Sequence, residues 1–238
     1  MPGEKFRAGA AMTDITPRKT LKNYNGAALD YDPEASPLRC HAVAFEDAAH
    51  KGAILSIDTT FIDRALSLVI RDACERSTGI PAANILVAAT HTHAAPAPCP
   101  SFLSGVLPDP LYVDQLVSGA VDAVTTARGD LRASFIKAAN CSSPGFERNR
   151  RLIRPNGLVV MSGANNADDS FPAAGPVDPV VPILAFMGPG GYPLAIVTNY
   201  ACHNNCVGGV HHGDIGGRIG DALRERYGSQ LVTPFIEA

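Results

Sequence analysis

The sequence is short of several residue types, and each shortage excludes a class of protein. It contains no tryptophan, and only 18% of its 238 residues are charged, with a net charge of −3. A nucleic-acid-binding protein usually carries a surplus of basic residues, so we expect no nucleic-acid partner. No apolar run approaches the roughly 18 residues that cross a bilayer, so we expect no transmembrane segment.

The first residues lack the apolar stretch and the cleavage pattern of a secretory signal peptide. We therefore expect a cytoplasmic protein, and a secreted or periplasmic location stays open if a signal has been removed. Six cysteines are spread along the chain. Without a signal they are expected to be reduced thiols rather than disulfides.

What the sequence does contain is typical of a globular fold with many turns. Hydrophobic residues make up 46% of the chain, and 22 glycines and 19 prolines favour shaped loops over long helices. A chain of this length can bury one sizeable core, so we expect a single domain over residues 1–238.

The apolar patterns alternate between strand and helix periods along the chain. Residues 40–45 and 52–57 are apolar runs around a polar turn, which predicts a β-hairpin. Helical spacing predicts helices over 61–76 and 111–127, and a third helix after Asp214, which we interpret as its N-cap. These elements predict a mixed α/β (α+β) layered domain of mixed β-sheets flanked by helices. Further strands are predicted at residues 5–11, 84–89, 133–138, 158–161, 180–187, 194–200 and 231–236.

His91 and His93 come directly after the strand predicted at residues 84–89. In a strand, residues two apart project to the same face, so both imidazoles can enter one pocket. Imidazole is the commonest neutral metal ligand, and this pair is suited to form half of a zinc site. The alternative is two hydrogen-bonded polar residues at a strand terminus.

His203 also follows an apolar strand, and two strand ends of one sheet can bring it next to His91. The alternative is a lone histidine in a turn. Cys202 and Cys206 flank His203 and suggest a structural Cys/His zinc site, although a second pair of ligands at the required spacing is missing.

Arginines cluster in the loop over residues 147–154, which includes Arg150. A guanidinium group stays charged and donates hydrogen bonds in a fixed fork, which suits stabilisation of an anion or oxyanion. The alternative is a solvated loop. His211 and His212 are adjacent and point in opposite directions if extended, so we do not expect them to bind a metal together.

Several short motifs occur in an order that is similar to that of a known enzyme family. The Thr-His-Thr-His segment, followed by small residues and proline, is the most specific of them. The motifs are Thr13-Asp14-Ile15-Thr16-Pro17, Ala89-Thr90-His91-Thr92-His93-Ala94-Ala95-Pro96, Asn149-Arg150, Gly175-Pro176-Val177-Asp178-Pro179, Asn199-Tyr200-Ala201-Cys202-His203 and Asp214-x-x-Gly217. With them the chain resembles the N-terminal catalytic domain of the neutral/alkaline (non-lysosomal) ceramidases and of their shorter bacterial relatives, over nearly its whole length.

The resemblance implies a zinc-dependent amidase that splits N-acylsphingosine, or a related N-acyl amide, into an amine and a fatty acid. It implies that His91 and His203 are zinc (Zn2+) ligands and that His93 and Arg150 contact the reacting amide. The family's remaining zinc ligands, a Glu and a Tyr, come from a region beyond residue 238. The resemblance therefore implies that the chain is the N-terminal portion of a longer hydrolase domain, truncated at its C-terminal end.

Two other functions stay open at this point. A domain of the same fold could bind a ligand or partner without turnover, because two protein ligands alone rarely hold zinc tightly. An amidohydrolase-type metal hydrolase also uses a His-x-His pair, but it needs eight βα units, and this chain has too few. The expected partner of the leading interpretation is a small-molecule or lipid amide substrate.

Overall fold

The computed structural model describes residues 6–143, 145–162 and 170–237. The elements in these ranges are, in chain order, β1 (Arg7–Asp14), β2 (Leu21–Lys22), β3 (Ala28–Leu29), β4 (Arg39–Glu46), β5 (Lys51–Ile57), α1 (Arg64–Thr78), β6 (Ile85–Ala89), α2 (Pro110–Gly129), β7 (Arg132–Ala133), β8 (Phe135–Ser142), β9 (Arg151–Ile153), β10 (Val159–Met161), β11 (Val180–Met187), β12 (Pro193–Tyr200), α3 (Asp214–Tyr227) and β13 (Phe235–Glu237).

The larger of the two main sheets has five strands in the order β6-β5-β4-β1-β7. Strands β4 and β5 form the predicted antiparallel hairpin, with Cys40 opposite Ile57. Strand β6 runs parallel to β5, because α1 crosses over between them. This order places the end of β6, where the His-x-His segment begins, at an edge of the sheet.

Helices α1 and α2 have caps that explain where they begin. The Asp63 carboxylate accepts a hydrogen bond from the Leu66 amide, and the Asp109 carboxylate accepts one from the Tyr112 amide. Both helices bury one apolar face against the five-stranded sheet. The contact is so close that a Cβ atom added to Gly9 of β1 would clash with the backbone oxygen of Ala127 in α2.

The smaller main sheet has four strands in the order β13-β12-β11-β8, with β13 parallel to β12. Its apolar side chains Phe186 and Val197 pack against Ala8 and Val43, which point away from the helices. The molecule therefore has three successive layers, namely the helix pair, the five-stranded sheet and the four-stranded sheet. The prediction of a mixed α/β layered fold is confirmed, and these open sheets exclude the eight-unit barrel of an amidohydrolase.

Two local predictions differ from the structure. The arginine-rich loop ends in a short strand, β9, which pairs with β10 across a turn. Helix α3 begins at Asp214, but its N-cap residue is Gly213, without a side-chain cap. The Asp214 carboxylate instead accepts hydrogen bonds from the backbone amides of Cys206 and Val207, at 2.9 and 3.0 Å. The interpretation of Asp214 as the helix cap was therefore wrong, because the preceding loop folds back over it.

All six cysteines are free thiols in the structure, as the sequence analysis expected. None of the helices in the described parts of the chain combines the length and the apolar character that a bilayer span requires.

Candidate metal centre

Three histidine side chains meet where the two main sheets come together. His91, His93 and His203 each offer one ring nitrogen, and these nitrogens lie within 4.8 Å of one another. The ring centroids of the three pairs are 4.7–4.9 Å apart. All three imidazoles are partly buried, so their nitrogens face a shared space that remains accessible to a ligand. This arrangement can hold a metal ion.

The first two histidines lie beyond strand β6, which ends at Ala89. His91 has a left-handed backbone conformation, with φ of 62°. The two rings therefore do not converge through the alternation of a strand, which was the reason given from the sequence. The turn at His91 brings them together, and their Nε2 atoms lie 3.3 Å apart.

The segment that follows strand β5 fixes the orientation of the His91 ring. Its Nδ1 atom lies 2.7 Å from the carbonyl oxygen of Thr60. The Thr60 hydroxyl in turn donates a hydrogen bond to the carbonyl oxygen of Thr92. A carbonyl oxygen only accepts, so Nδ1 of His91 is the donor of this contact, and Nε2, which lies 3.3 Å from Nε2 of His93, is the nitrogen that a neutral ring can offer to a metal.

His203 follows strand β12 of the four-stranded sheet, and the next residue fixes its position relative to the other two. Asn204 is fully buried. Its side-chain amide donates to the Thr90 carbonyl at 2.9 Å, and its backbone carbonyl accepts from the His93 amide at 3.2 Å. Asn204 also accepts from the Ile215 amide at the start of α3. One residue thus ties the segment after β12 to the segment after β6.

Arg150 and Glu237 bring opposite charges to the same region. Both line a cavity of about 410 Å³ that His203 also lines. Arg150 is exposed and lies between Asn149, which caps the local turn, and strand β9. The Glu237 carboxylate at the end of β13 is 3.4 Å from Nδ1 of His91. The cavity therefore contains a cation suited to an oxyanion and a carboxylate beside a candidate ligand.

The surroundings of His93 and His203 favour their uncharged imidazoles. Burial, followed by the positive charge of Arg150, lowers the pKa of His203 to about 4. Burial also lowers the pKa of His93, with further contributions from His91 and Arg150. Burial raises the pKa of Glu237, against the opposing effects of His91 and Arg150. Neutral imidazole is the form that binds a metal ion, so both lowered pKa values favour ligation near neutral pH.

The other chemically active side chains that the sequence singled out lie outside the three-histidine cluster. The imidazole of His211 is buried and lies 3.0 Å from the Lys19 carbonyl, and the imidazole of His212 accepts from the Asp214 amide. Cys202 lines the cavity beside His203. Among the described residues, neither Cys202 nor Cys206 belongs to the cluster of candidate metal ligands.

Fold and site together define a class of protein: a layered α/β domain with a three-histidine cluster at the junction of two sheets. The chain is similar in structure to a ceramidase complexed with C2, with a TM-score of 0.78 and 18% identity over 98% of this chain and 38% of that chain. It is also similar to the neutral ceramidase from Pseudomonas aeruginosa, with a TM-score of 0.72 and 19% identity over the same shares of the two chains.

The resemblance to ceramidases that the sequence motifs indicated is confirmed at the level of the fold. The chain spans 38% of the length of each of these two ceramidase structures. No protein-family model and no curated protein matches the sequence.

Sequence reasoning missed three residues beside the site. Asn204 is adjacent to a candidate ligand, which is a signal that could have drawn attention to it. Glu237 follows an apolar strand in the same way as the two histidine segments do. Asn25, whose side-chain nitrogen lies 3.1 Å from Nδ1 of His93, comes from a distant loop and gives no local signal.

Proposed function

We propose that this chain contributes two ligands to the zinc site of a ceramidase-like hydrolase, which cleaves an amide bond in N-acylsphingosine or a related N-acyl amide. The convergence of His91, His93 and His203 at one point carries this proposal. The similarity of fold to two ceramidases supports the choice of substrate class. The domain over residues 1–238 is proposed to act as one unit, because both main sheets contribute to the site.

The donor set fits zinc. The ligand atoms of His91 and His203 lie within 4.8 Å of each other, and imidazole nitrogen is one of the ligands that zinc prefers. We assign His91 and His203 as the metal ligands, and the Thr60 carbonyl orients the His91 ring for that role. A zinc ion bound there would polarise a carbonyl group and lower the pKa of water to about 7.

The chain's own residues then act on the reacting amide. The ring of His93 and the guanidinium of Arg150 donate hydrogen bonds to the carbonyl oxygen as it gains negative charge. In the overall reaction, the hydroxyl group of water bonds to the carbonyl carbon and the C–N bond breaks. The nitrogen takes the remaining proton of water, so the amine leaves as R–NH2 and the acyl group as a carboxylic acid, whose proton then passes to the amine to give a carboxylate and an ammonium ion.

Metal content and amide hydrolysis, measured on the same purified protein, test this proposal. The wild-type protein is expected to hold about one zinc per chain by plasma mass spectrometry and to release fatty acid from an N-acylsphingosine. We expect His91→Ala and His203→Ala to lose both the zinc and the activity. His93→Ala is expected to keep the zinc and to lose activity at least a hundredfold, since one positioned donor contributes about that factor.

The exposed His50 at the turn of the β4–β5 hairpin provides a matched control. His50→Ala is expected to keep both zinc and activity. A protein that binds zinc but hydrolyses none of a panel of N-acyl amides would contradict the enzymatic assignment and identify a ligand-binding domain. Full activity in His91→Ala would contradict the metal assignment.

A further inference from the structure

The proposed function uses only one arginine of the arginine-rich segment. Arg150 is assigned to the reacting amide, whereas Arg148 and Arg151 have no part in that assignment. All three arginines line the cavity of about 410 Å³ that His203 also lines. A group of cations and the candidate metal centre therefore open into the same space, where one bound molecule can contact both.

The backbone that carries these arginines is fixed beside the cavity. The Asn149 side chain accepts a hydrogen bond from the Arg151 amide at 3.0 Å and donates one to the Pro176 carbonyl at 3.1 Å. The Arg150 carbonyl accepts a hydrogen bond from the Ser162 amide at 2.7 Å. Because both neighbouring segments hold this stretch of chain, the arginines begin from defined positions at the cavity wall.

The described carboxylates do not balance the positive charge of the cavity. Its described lining contains three arginines and one carboxylate, that of Glu237. Glu147 is close in sequence, but its carboxylate accepts hydrogen bonds from the Tyr200 hydroxyl at 3.1 Å and from a backbone amide at 3.2 Å. Within the described ranges, no ion pair joins Arg150 or Arg151 to a carboxylate. The surplus of positive charge favours an anionic ligand.

We propose that the cavity selects amides that carry a carboxylate beside the scissile bond, as in an N-acyl amino acid, and that Arg148 and Arg151 determine this specificity. The inference rests on the proposed function, which places the reacting amide at Arg150. In an N-acyl amino acid one carbon atom separates the amide nitrogen from the carboxylate, so the carboxylate lies within reach of the neighbouring arginines. A guanidinium group binds a carboxylate through two parallel hydrogen bonds.

A matched pair of substrates isolates the effect of the charge. N-octanoylglycine and N-octanoylglycinamide have the same acyl chain and nearly the same shape, but only the first carries a carboxylate. For the wild type we expect kcat/KM to be about tenfold higher for N-octanoylglycine, mainly through a lower KM, because charge-assisted hydrogen bonds to the arginines form with this substrate alone. Equal kcat/KM values for the two substrates would overturn the proposal.

Three variants assign the preference to the arginines. Arg148→Gln and Arg151→Gln are each expected to raise KM for N-octanoylglycine and to leave hydrolysis of N-octanoylglycinamide unchanged, whereas Arg151→Lys keeps the charge and recovers part of the preference. Arg76→Gln removes the same charge from an exposed position in the last turn of α1 and is expected to change neither substrate. Equal losses for both substrates in Arg148→Gln and Arg151→Gln would indicate a structural role and contradict the specificity assignment.

A binding measurement separates this inference from the proposed function. N-octylsulfonylglycine and N-octylsulfonylglycinamide replace the acyl carbonyl by a sulfonyl group and are not hydrolysed. Calorimetric titration of the purified protein is expected to show tighter binding of the charged analogue, and Arg151→Gln is expected to reduce this difference. If the wild type hydrolyses no amide but shows this binding preference, the proposed function fails and the anion site stands. If it hydrolyses amides but binds both analogues equally, the specificity inference fails alone.

Discussion

The five-stranded and four-stranded sheets differ in how far their side chains are removed from water. Helices cover one face of the five-stranded sheet and the other sheet covers its second face, so most residues of β4 and β5 are buried. In the four-stranded sheet every residue of the edge strand β8 is exposed. His91 and His93 extend from the buried sheet, and His203 and Glu237 extend from the more exposed one.

Because of this difference, the two sheets contribute different parts of the same site. The His91 ring is fixed by a carbonyl that follows a buried strand, so its orientation is set by the main core. Arg150 and Glu237 line a cavity on the more exposed side, where a small molecule can enter. Asn204 connects the two sheets, because it follows β12 and donates a hydrogen bond to the Thr90 carbonyl after β6. The comparison predicts that the two sheets respond differently to substitution, to metal and to pH.

The largest expected effect is on the stability of the buried sheet. Leu55 of β5 is completely buried in the main core, whereas Ile136 of β8 is 45% exposed. Leu55→Ala is expected to lower the free energy of unfolding by about 2–5 kcal/mol, because it removes buried carbon atoms and leaves a cavity. Ile136→Ala is expected to cost less than about 1 kcal/mol. Urea denaturation measures both values, and equal costs would contradict the difference in burial.

Zinc is expected to have the next largest effect, because its proposed ligands His91 and His203 come from different sheets. At a hundredfold excess over Kd, zinc would stabilise the folded state by about 2.7 kcal/mol. For a chain of this size we expect a rise in Tm of about 5–10 °C by calorimetry. Magnesium, which prefers oxygen ligands, should give no rise. A zinc-dependent rise that persists in His203→Ala would refute the proposed link between the sheets.

A change of one pH unit is expected to have the smallest effect, and this effect concerns the buried sheet alone. Burial, aided by Arg39 and Arg224 and opposed by Asp221, lowers the pKa of His41 on β4 from 6.5 to about 3. The folded protein keeps this imidazole neutral, while the unfolded chain takes up a proton as the pH falls below 6.5. The free energy of unfolding should therefore decrease from pH 6.5 towards pH 3, by up to about 1.4 kcal/mol per pH unit from this group.

Comparison of variants isolates the contribution of His41 from those of other groups. His41→Gln is expected to have a shallower dependence of unfolding free energy on pH than the wild type in the acidic range. His50→Gln changes an exposed histidine at the hairpin turn and is expected to keep the wild-type slope. Identical slopes in all three proteins would show that His41 is not held neutral by its surroundings.

The parts of the fold that follow from local periodicity were predictable from the sequence. The β4–β5 hairpin, helices α1 and α2, and strands such as β11 and β12 lie close to the predicted ranges. The spacing of the apolar residues in these elements indicates directly which side chains are buried. The motif order also indicated the correct fold, and it singled out the three histidines that the structure brings together.

The rest of the site depends on contacts between residues far apart in the chain. The left-handed turn at His91 and the hydrogen bonds of Asn204 arise from packing of the loops after β6 and β12, which no local pattern encodes. Asp214 illustrates the same point, because its spacing fits a helix cap while its carboxylate binds loop amides. The assignments of His91 and His203 as ligands, and of His93 and Arg150 as donors, stay predictions until the variants are measured.

The contact between β5 and β13 has a consequence for how the candidate site assembles during folding. The Ser56 hydroxyl donates to the Phe235 carbonyl at 2.6 Å, and these residues are 179 positions apart in the chain. Contacts that close such long loops are slow to form. Glu237 reaches His91 only after this closure, so assembly of the site on refolding is expected to lag behind recovery of the helical signal of α1 and α2. The site is thus among the last parts of the molecule to form.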